Sequence, residues 1–136
     1  MWTKRIHYLT EVSELSDYLK KVNNFTDCII SSFSFNSEKQ FLYLTIEEDK
    51  TSSDFTNASS LVWDLECEGV SDFLMKDMGG LSKWWLHALY FEDNYFHFHL
   101  LDGYFSLKFT DFKLGIPYSS KTSIGNDIQS LHIDYL

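Results

Sequence analysis

The sequence predicts an α+β fold in which one N-terminal helix packs on a curved, mostly antiparallel sheet of six or seven strands. Two observations support this fold class. One early segment repeats its apolar residues every three or four positions, whereas most later segments repeat them every second position. A run of strands after a single helix is typical of α+β domains. The chain has 136 residues and no internal repeat or linker, so a single domain is expected over residues 1–136.

Residues 10–22 form the predicted helix. Thr10 can cap its N-terminus, acidic residues occupy the first turn and lysines the last, which suits the helix dipole. Asn23 and Asn24 are expected to end it. The positions that share an apolar stripe, and would therefore lie on the sheet, are Val12, Leu15, Tyr18, Leu19 and Val22.

The strands are predicted from period-two segments bounded by turn residues. These segments are 28–35, 41–48, 60–68, 84–91, 95–101 and 104–112, with 128–135 as a candidate last strand. Asp102-Gly103 is predicted to be a type I′ hairpin turn. Residues 71–75 are ambiguous, because Ser71-Asp72 could cap a short helix there. Residues 115–117, Gly-Ile-Pro, are expected to break the strand pattern.

Composition disfavours several classes of function. The net charge is −9, from 20 acidic and 11 basic residues, and Arg5 is the single arginine. Proteins that bind nucleic acids or anionic membranes carry clustered cations, so neither partner is expected. Cys28 and Cys67 lie in apolar segments and are expected to be free and buried. The first residues lack the apolar run of a signal peptide, and no segment resembles a membrane span, so a soluble, cytoplasmic protein is expected.

The segment 61–68 concentrates negative charge on one face of a predicted strand. Alternation directs Asp64, Glu66 and Glu68 to one side. The opposite side would carry Trp63, Leu65 and Cys67. Such a strand commonly turns its polar side to water without further function. Alternatively, a one-signed patch accelerates association with a cationic partner. A two-carboxylate hydrolase is a further alternative, but nothing in the sequence selects an acid–base pair.

The surrounding sequence strengthens the binding interpretation. Residues 47–77 hold nine acidic residues and two lysines, a net charge of −7 out of the chain's −9. The charge is therefore focused and not spread along the chain. The candidate partner-binding residues are Glu47, Glu48, Asp49, Asp54, Asp64, Glu66, Glu68 and Asp72.

Histidines provide an alternative site. His97 and His99 share one face of a predicted strand, and His87 lies on the strand before it. His-x-His on a strand is a geometry found among metal ligands, so a small-ligand or metal-binding protein using this face is the alternative function. No nucleotide-binding, nucleophile-elbow or Cys-x-x-Cys motif occurs. We therefore expect no catalytic residues, no cofactor and no enzymatic activity.

Small size, acidity, many aromatic residues and the lack of a catalytic motif together resemble bacterial toxin immunity proteins. The resemblance is one of overall character across the whole chain and has no defining motif. It implies a protein that neutralises a cognate toxin, commonly a basic nuclease, by covering its active site. The partner would be a cationic toxin domain facing the acidic residues, with exposed aromatic side chains at the centre of the interface. A subunit or adaptor in a larger assembly, using the same surface, is a third interpretation.

Overall fold

The computed structural model describes residues 6–48, 61–77 and 84–117. Within them lie nine strands and one α-helix, so the prediction of a mostly antiparallel sheet with a helix is confirmed, although the strands outnumber those predicted. Their bounds are β1 (Ile6–Leu9), α1 (Val12–Lys21), β2 (Ile29–Asn36), β3 (Phe41–Glu47), β4 (Val62–Glu68), β5 (Ser71–Lys76), β6 (Trp84–Glu92), β7 (Tyr95–Leu100), β8 (Gly103–Lys108) and β9 (Asp111–Pro117).

The strands form one sheet in the order β1-β9-β4-β3-β2-β6-β7-β8-β5. Every pair of neighbours is antiparallel, and the sheet is not closed. β2 pairs with β6 only at Ile29 and Ile30, so this is a narrow junction between two groups of strands. One group is β1, β9, β4, β3 and β2, and the other is β6, β7, β8 and β5. The acidic strand β4 is the central strand of the first group.

The two groups are also joined where the chain passes from β4 to β5 and from β8 to β9. Both the amide and the hydroxyl of Thr110 donate to the carbonyl of Glu68, over 2.9 and 3.1 Å. Gly69 adopts a φ of +65°, which favours glycine, and a Cβ there would collide with the Thr110 side chain. This close crossing therefore fixes the end of β4, where Glu68 lies.

The helix α1 packs on the core through part of its predicted stripe. Leu15, Tyr18 and Leu19 are buried, whereas Val12 is exposed. The indole nitrogen of Trp63 on β4 donates to the hydroxyl of Tyr18 over 2.8 Å. The helix is the second element of the described chain, because β1 precedes it. No helix in the described ranges is long and apolar enough to cross a membrane.

Aromatic side chains fill the space between the strand groups. Phe33 of β2 contacts Trp84, Phe105 and Phe73, which belong to β6, β8 and β5. Phe98 and Phe105 stack with their ring centroids 4.3 Å apart. Contacts between strands distant in the sheet order show that the sheet folds back on itself around this core.

The N-terminal cap of the helix differs from the prediction. The capping position is Glu11, not Thr10, and its side chain makes no capping hydrogen bond. The pairing of β1 with β9 holds the chain in an extended conformation up to Leu9, immediately before this cap. The predicted end is confirmed, because the helix ends at Lys21 and Asn23 and Asn24 both have positive φ.

The sequence left residues 71–75 ambiguous, and the structure shows no helix there, since these residues lie in β5 and pair with β8. Phe73 packs against the core and contacts Phe35. An isolated helical turn would not provide this contact. The register shifts between Ser71 and Leu74, and Asp72 in this irregularity has a φ of 50°. Pairing with a distant strand therefore outweighed the local capping signal.

The predicted strand 104–112 is two strands that belong to different groups. β8 ends at Lys108, and β9 continues through 115–117, the segment that was expected to break the pattern. Pro117 is tolerated because it ends its strand, opposite Ile6 of the edge strand β1. The candidate strand at 128–135 lies outside the described residues.

The type I′ hairpin turn also occurs elsewhere than predicted. Asp93 and Asn94, between β6 and β7, have φ values of 57° and 69°, as both central positions of that turn require. Gly103 instead pairs with Leu100 as the first residue of β8, so the β7–β8 loop is Leu101-Asp102.

Candidate partner-binding face

The alternation of β4 is as predicted. Trp63, Leu65 and Cys67 are buried in the core. On the opposite side Asp64 and Glu66 are half-buried and Glu68 is exposed. A strand of period two with one side in the core leaves its other side to solvent, so the three carboxylates lie in a row on the outer surface. We call this row and its cross-strand neighbours on β3 and β9 the acidic face.

The neighbours on β9 add a carboxylate and a lysine. Asp111 lies opposite Glu68, and Lys113 lies opposite Glu66. The ammonium group of Lys113 sits 4.9 Å from the ring centroid of Tyr8 on β1. No carboxylate of the acidic face forms an ion pair within the described residues. Within the described parts of the chain, carboxylates therefore outnumber cations on this face.

On the β3 side, Tyr43 is the polar neighbour. It lies opposite Glu66, and its hydroxyl donates to the Oδ1 of Asp64 over 3.1 Å. Burial raises the pKa of Tyr43, and the hydrogen bond to Asp64 and the charges of Asp64 and Glu66 raise that pKa further. An anionic phenolate is thus disfavoured here, as expected in a region of negative potential.

The acidic face is concave where it meets the start of α1. A cavity of about 360 Å³ opens there between β4, β9 and the residues that precede the helix. Four carboxylates and one ammonium group are in its lining, so its polar groups are predominantly acceptors. The lining residues are Thr10, Glu11, Glu66, Glu68, Asp111, Phe112 and Lys113.

The other predicted site residues have different positions. Glu47 lies at the end of β3, paired with Val62, and so extends the acidic face along its neighbouring strand. Glu48 accepts a hydrogen bond from the amide of Leu61 over 3.3 Å, next to the start of β4. Asp49 and Asp54 lie outside the described residues.

Asp72 belongs to the other strand group. Its carboxylate accepts a hydrogen bond from the hydroxyl of Tyr95 over 2.7 Å, and this bond is the largest cause of a raised pKa at Tyr95. The structure therefore brings Asp64, Glu66 and Glu68 together, with Glu47 and Glu48 at their margin, and places Asp72 elsewhere.

Three contributors to the face were not predicted as site residues: Glu11, Tyr43 and Asp111. Asp111 and Tyr43 reach the face only because β9 and β3 pair with β4, and no local pattern reveals which strands are neighbours. For Glu11 the sequence indicated only a place in the first turn of the predicted helix, where an acidic residue suits the helix dipole.

Cys67 is a core residue and not a nucleophile. Its side chain is completely buried, and burial, with a smaller contribution from Glu66, raises the pKa of its thiol. The thiolate needed for nucleophilic attack is therefore disfavoured. Cys28 and Cys67 are both buried and form no disulfide within the described residues, as predicted.

The histidines lie on the outer side of the second strand group. His97 is half-buried and His99 is exposed, on the opposite side of β7 from the buried Phe96 and Phe98. In the described parts of the chain, no three His, Cys, Asp or Glu side chains are grouped so that they could hold a metal ion.

Comparison with known proteins identified no matching family model, no matching curated protein and no matching solved structure. What the chain does must therefore be inferred from its own surfaces.

Proposed function

We propose that this chain is a non-catalytic binding protein of the cytoplasm, an immunity protein that neutralises a cationic toxin by covering its active site with the acidic face. The observation that carries the proposal is a row of three carboxylates on β4, beside a concave cavity lined by four carboxylates and one ammonium group. A basic nuclease holds phosphate groups with lysine and arginine side chains, which are the groups that such a face would attract.

The placement of the charge favours binding over simple solvation. Solvation requires only polar side chains, and neutral Thr or Ser are better strand formers than Asp and Glu. Like charges on adjacent positions of a strand face repel one another, so the row costs the isolated protein some stability. A cationic partner removes that repulsion when it binds, and complementary charge also accelerates association.

The cavity offers a specific contact for the partner. Its volume of about 360 Å³ exceeds that of one long side chain, and its lining includes four carboxylates together with Lys113 and Phe112. A lysine or arginine can place its alkyl stem along such a wall and its charged head among the carboxylates. We propose that one basic side chain of the toxin enters here.

Aromatic anchors flank the same face. Tyr8 is 51% exposed on β1 and packs under the ammonium group of Lys113. Tyr43 lies between the carboxylates and β2. Tyrosine is enriched at the energetic centre of interfaces, so these two side chains are the expected anchors, and the carboxylates set the association rate.

The test compares association rates with the cognate toxin domain at pH 7.5 and low salt. That domain is sought in a neighbouring gene that encodes a large secreted protein with a variable C-terminal region. Replacing Asp64, Glu66 and Glu68 together by Lys should slow association by on the order of 10- to 1,000-fold, as expected when electrostatic steering is reversed.

The matched control reverses the charge of three exposed acids outside this face: Asp17, Glu92 and Asp102. It changes the net charge equally and should leave association within a few-fold of the parent. Equal slowing by both variants would show that only net charge matters. An unchanged rate for the β4 variant, with an intact fold by circular dichroism, would overturn the proposal.

A further inference from the structure

The sheet ends at β5, and this edge strand carries exposed apolar side chains. β5 pairs with β8, and among the described strands no other is hydrogen-bonded to it. Leu74 and Met75 are 47% and 39% exposed. The unpaired N–H and C=O groups of an edge can accept another strand, and proteins commonly prevent this with charges, proline or a covering segment. Two exposed apolar side chains on the edge instead favour pairing.

The side chains of β5 alternate between the two sides of the sheet. Phe73 and Met75 lie on the inner side, since Phe73 contacts the buried Phe105 and Met75 pairs with that residue. Leu74 pairs with Ser106, the next residue of β8, and so lies on the outer side. Alternation therefore gives an outer row of three residues, Asp72, Leu74 and Lys76.

A second copy of the chain can extend the sheet by pairing its own β5 with this edge. Two identical antiparallel strands are related by a two-fold axis perpendicular to the sheet. Such an axis keeps the inner sides of both copies on the same side of the extended sheet, so residues opposite each other must come from the same side of β5. This requirement limits the pairing to registers that differ by two residues.

One of these registers matches charged with charged and apolar with apolar residues. With Leu74 on the axis, Leu74 lies opposite itself, Asp72 lies opposite Lys76, and Phe73 lies opposite Met75. An axis at Phe73 would instead place Asp72 opposite Leu74. An axis at Met75 would place Lys76 opposite Leu74. Both alternatives set a charge against an apolar side chain, so the register centred on Leu74 is favoured.

The ends of the strand fit the same register. Asp72 accepts a hydrogen bond from the hydroxyl of Tyr95 through Oδ2, over 2.7 Å, and its Oδ1 has no hydrogen bond within the described ranges. This oxygen can therefore accept from Lys76 of a second copy. Asp77 would lie opposite Ser71, so no like charges are directly opposite each other. Asp72 and Asp77 both have a φ of 50°, which ends the regular strand on each side and keeps the contact short.

We propose that two copies of this chain associate through β5 into a symmetric dimer, with Leu74 on the two-fold axis and Asp72 of each copy paired with Lys76 of the other. The contact joins identical surfaces, so it uses up the edge and stops at two copies. β4 belongs to the other strand group, so both copies keep the acidic face. The dimer is therefore independent of the proposed function.

Sedimentation equilibrium of the whole chain at neutral pH tests for the dimer. A contact of one short strand buries little surface, so the association is weak and the measurement must extend to high concentration. The weight-average mass should rise with concentration from the 16.0 kDa of one chain towards twice that value. A parent chain that remains monomeric up to its solubility limit overturns the inference, and so does growth beyond two copies.

Leu74→Lys should abolish the dimer, because it places two ammonium groups opposite each other on the axis. The matched control is Leu101→Lys, which introduces the same charge at an apolar residue that is 63% exposed in the β7–β8 loop. The control should leave the dimerisation constant within a few-fold of the parent. Both variants reduce the net negative charge, so a general loss of repulsion would strengthen association in both. Equal behaviour of the two variants would contradict a contact through β5.

Variants of Asp72 and Lys76 test the register. Asp72→Lys sets ammonium groups opposite each other and Lys76→Asp sets carboxylates opposite each other, so each variant alone should dimerise on the order of 10-fold more weakly than the parent. The two substitutions change the net charge in opposite directions, so net charge cannot explain weakening by both. An equimolar mixture restores both complementary pairs and should form a mixed dimer with the affinity of the parent. A mixture that associates no better than its components shows that the strands do not pair in this way.

Toxin binding is a separate measurement. Leu74→Lys should associate with the toxin at the rate of the parent. The variant with Asp64, Glu66 and Glu68 replaced by Lys should still form the dimer. Failure of this inference and failure of the proposed function are therefore distinguishable.

Discussion

The indole nitrogen of Trp63 donates a hydrogen bond to the hydroxyl of Tyr18 over 2.8 Å, between the inner side of β4 and the helix α1. Trp63 adjoins Asp64, which lies on the outer side of the same strand. Phe25 packs against the Trp63 ring edge to face, with centroids 4.9 Å apart. The inner side of the strand that carries the acidic face is thus fixed by two interactions of Trp63, the hydrogen bond to Tyr18 and the ring contact with Phe25.

Replacing Tyr18 by Phe should destabilise the fold by about 1–3 kcal/mol, because the buried Trp63 N–H loses its acceptor. Urea unfolding followed by circular dichroism measures the change. The carboxylates of β4 keep their positions, so toxin association should be unaffected. Trp63→Phe and the double variant Tyr18→Phe with Trp63→Phe complete a double-mutant cycle. A coupling energy near zero between the two substitutions would show that the hydrogen bond contributes no stability.

Stability should also fall at alkaline pH because of Tyr18. Burial raises its pKa from 10.0 to about 12, although the bond from Trp63 acts in the opposite direction. The folded state therefore holds the phenolic proton more tightly than the unfolded state. The resulting stability is complete below pH 10 and is lost as pH rises from 10 towards 12. The urea midpoint of the parent should decrease over this range more steeply than that of Tyr18→Phe. Parallel curves would contradict the assignment.

The negative potential of the acidic face can be measured without a partner. The pKa of Tyr43 is raised by burial, by its bond to Asp64 and by the charges of Asp64 and Glu66. Asp64→Asn and Glu66→Gln should therefore each lower it. Absorbance at 295 nm, as the difference between each protein and its Tyr43→Phe counterpart, reports this titration. Glu38→Gln, in the exposed β2–β3 turn, is the control and should leave the pKa of Tyr43 unchanged.

Gly69→Ala should destabilise the protein by about 1–3 kcal/mol, the usual cost of a left-handed conformation in a residue other than glycine. Contact of the new methyl group with Thr110 adds to that cost. In a Thr110→Ala background the same substitution should cost less, because the contact is relieved and only the backbone cost remains. Equal costs in both backgrounds, from chemical denaturation, would show that the two residues are not in close contact.

The acidic row could be predicted from the sequence because alternation within one strand is a local pattern. The period of two and the apolar residues in between were enough to place Asp64, Glu66 and Glu68 on one side of the strand. The surroundings of the row depend on strand order, which local patterns do not contain. Asp111 reaches Glu68 because β9 leaves the group of β8 and pairs with β4. Because residues 104–112 were predicted as one strand, the prediction did not show that β8 pairs with β7 whereas β9 pairs with β4.

Local signals also failed where tertiary pairing opposed them. Ser71-Asp72 resembles a helix cap, but Phe73 is held in the core by contacts with Phe33 and Phe35 of β2. Asp102-Gly103 has the composition of a type I′ turn, yet the β7–β8 register places Gly103 opposite Leu100, within the ladder. In each case the energetic gain comes from residues distant in sequence.

The two-sided character of β4 also determines how this strand can pair. A shift of one residue against β3 or β9 would turn Asp64, Glu66 and Glu68 into the core and expose Trp63, Leu65 and Cys67. Burying three unpaired carboxylates costs several kcal/mol for each charge, far more than an ordinary register error. The charges that we assign to partner recognition therefore also exclude misaligned pairings, so the strand specifies its own alignment while the protein folds.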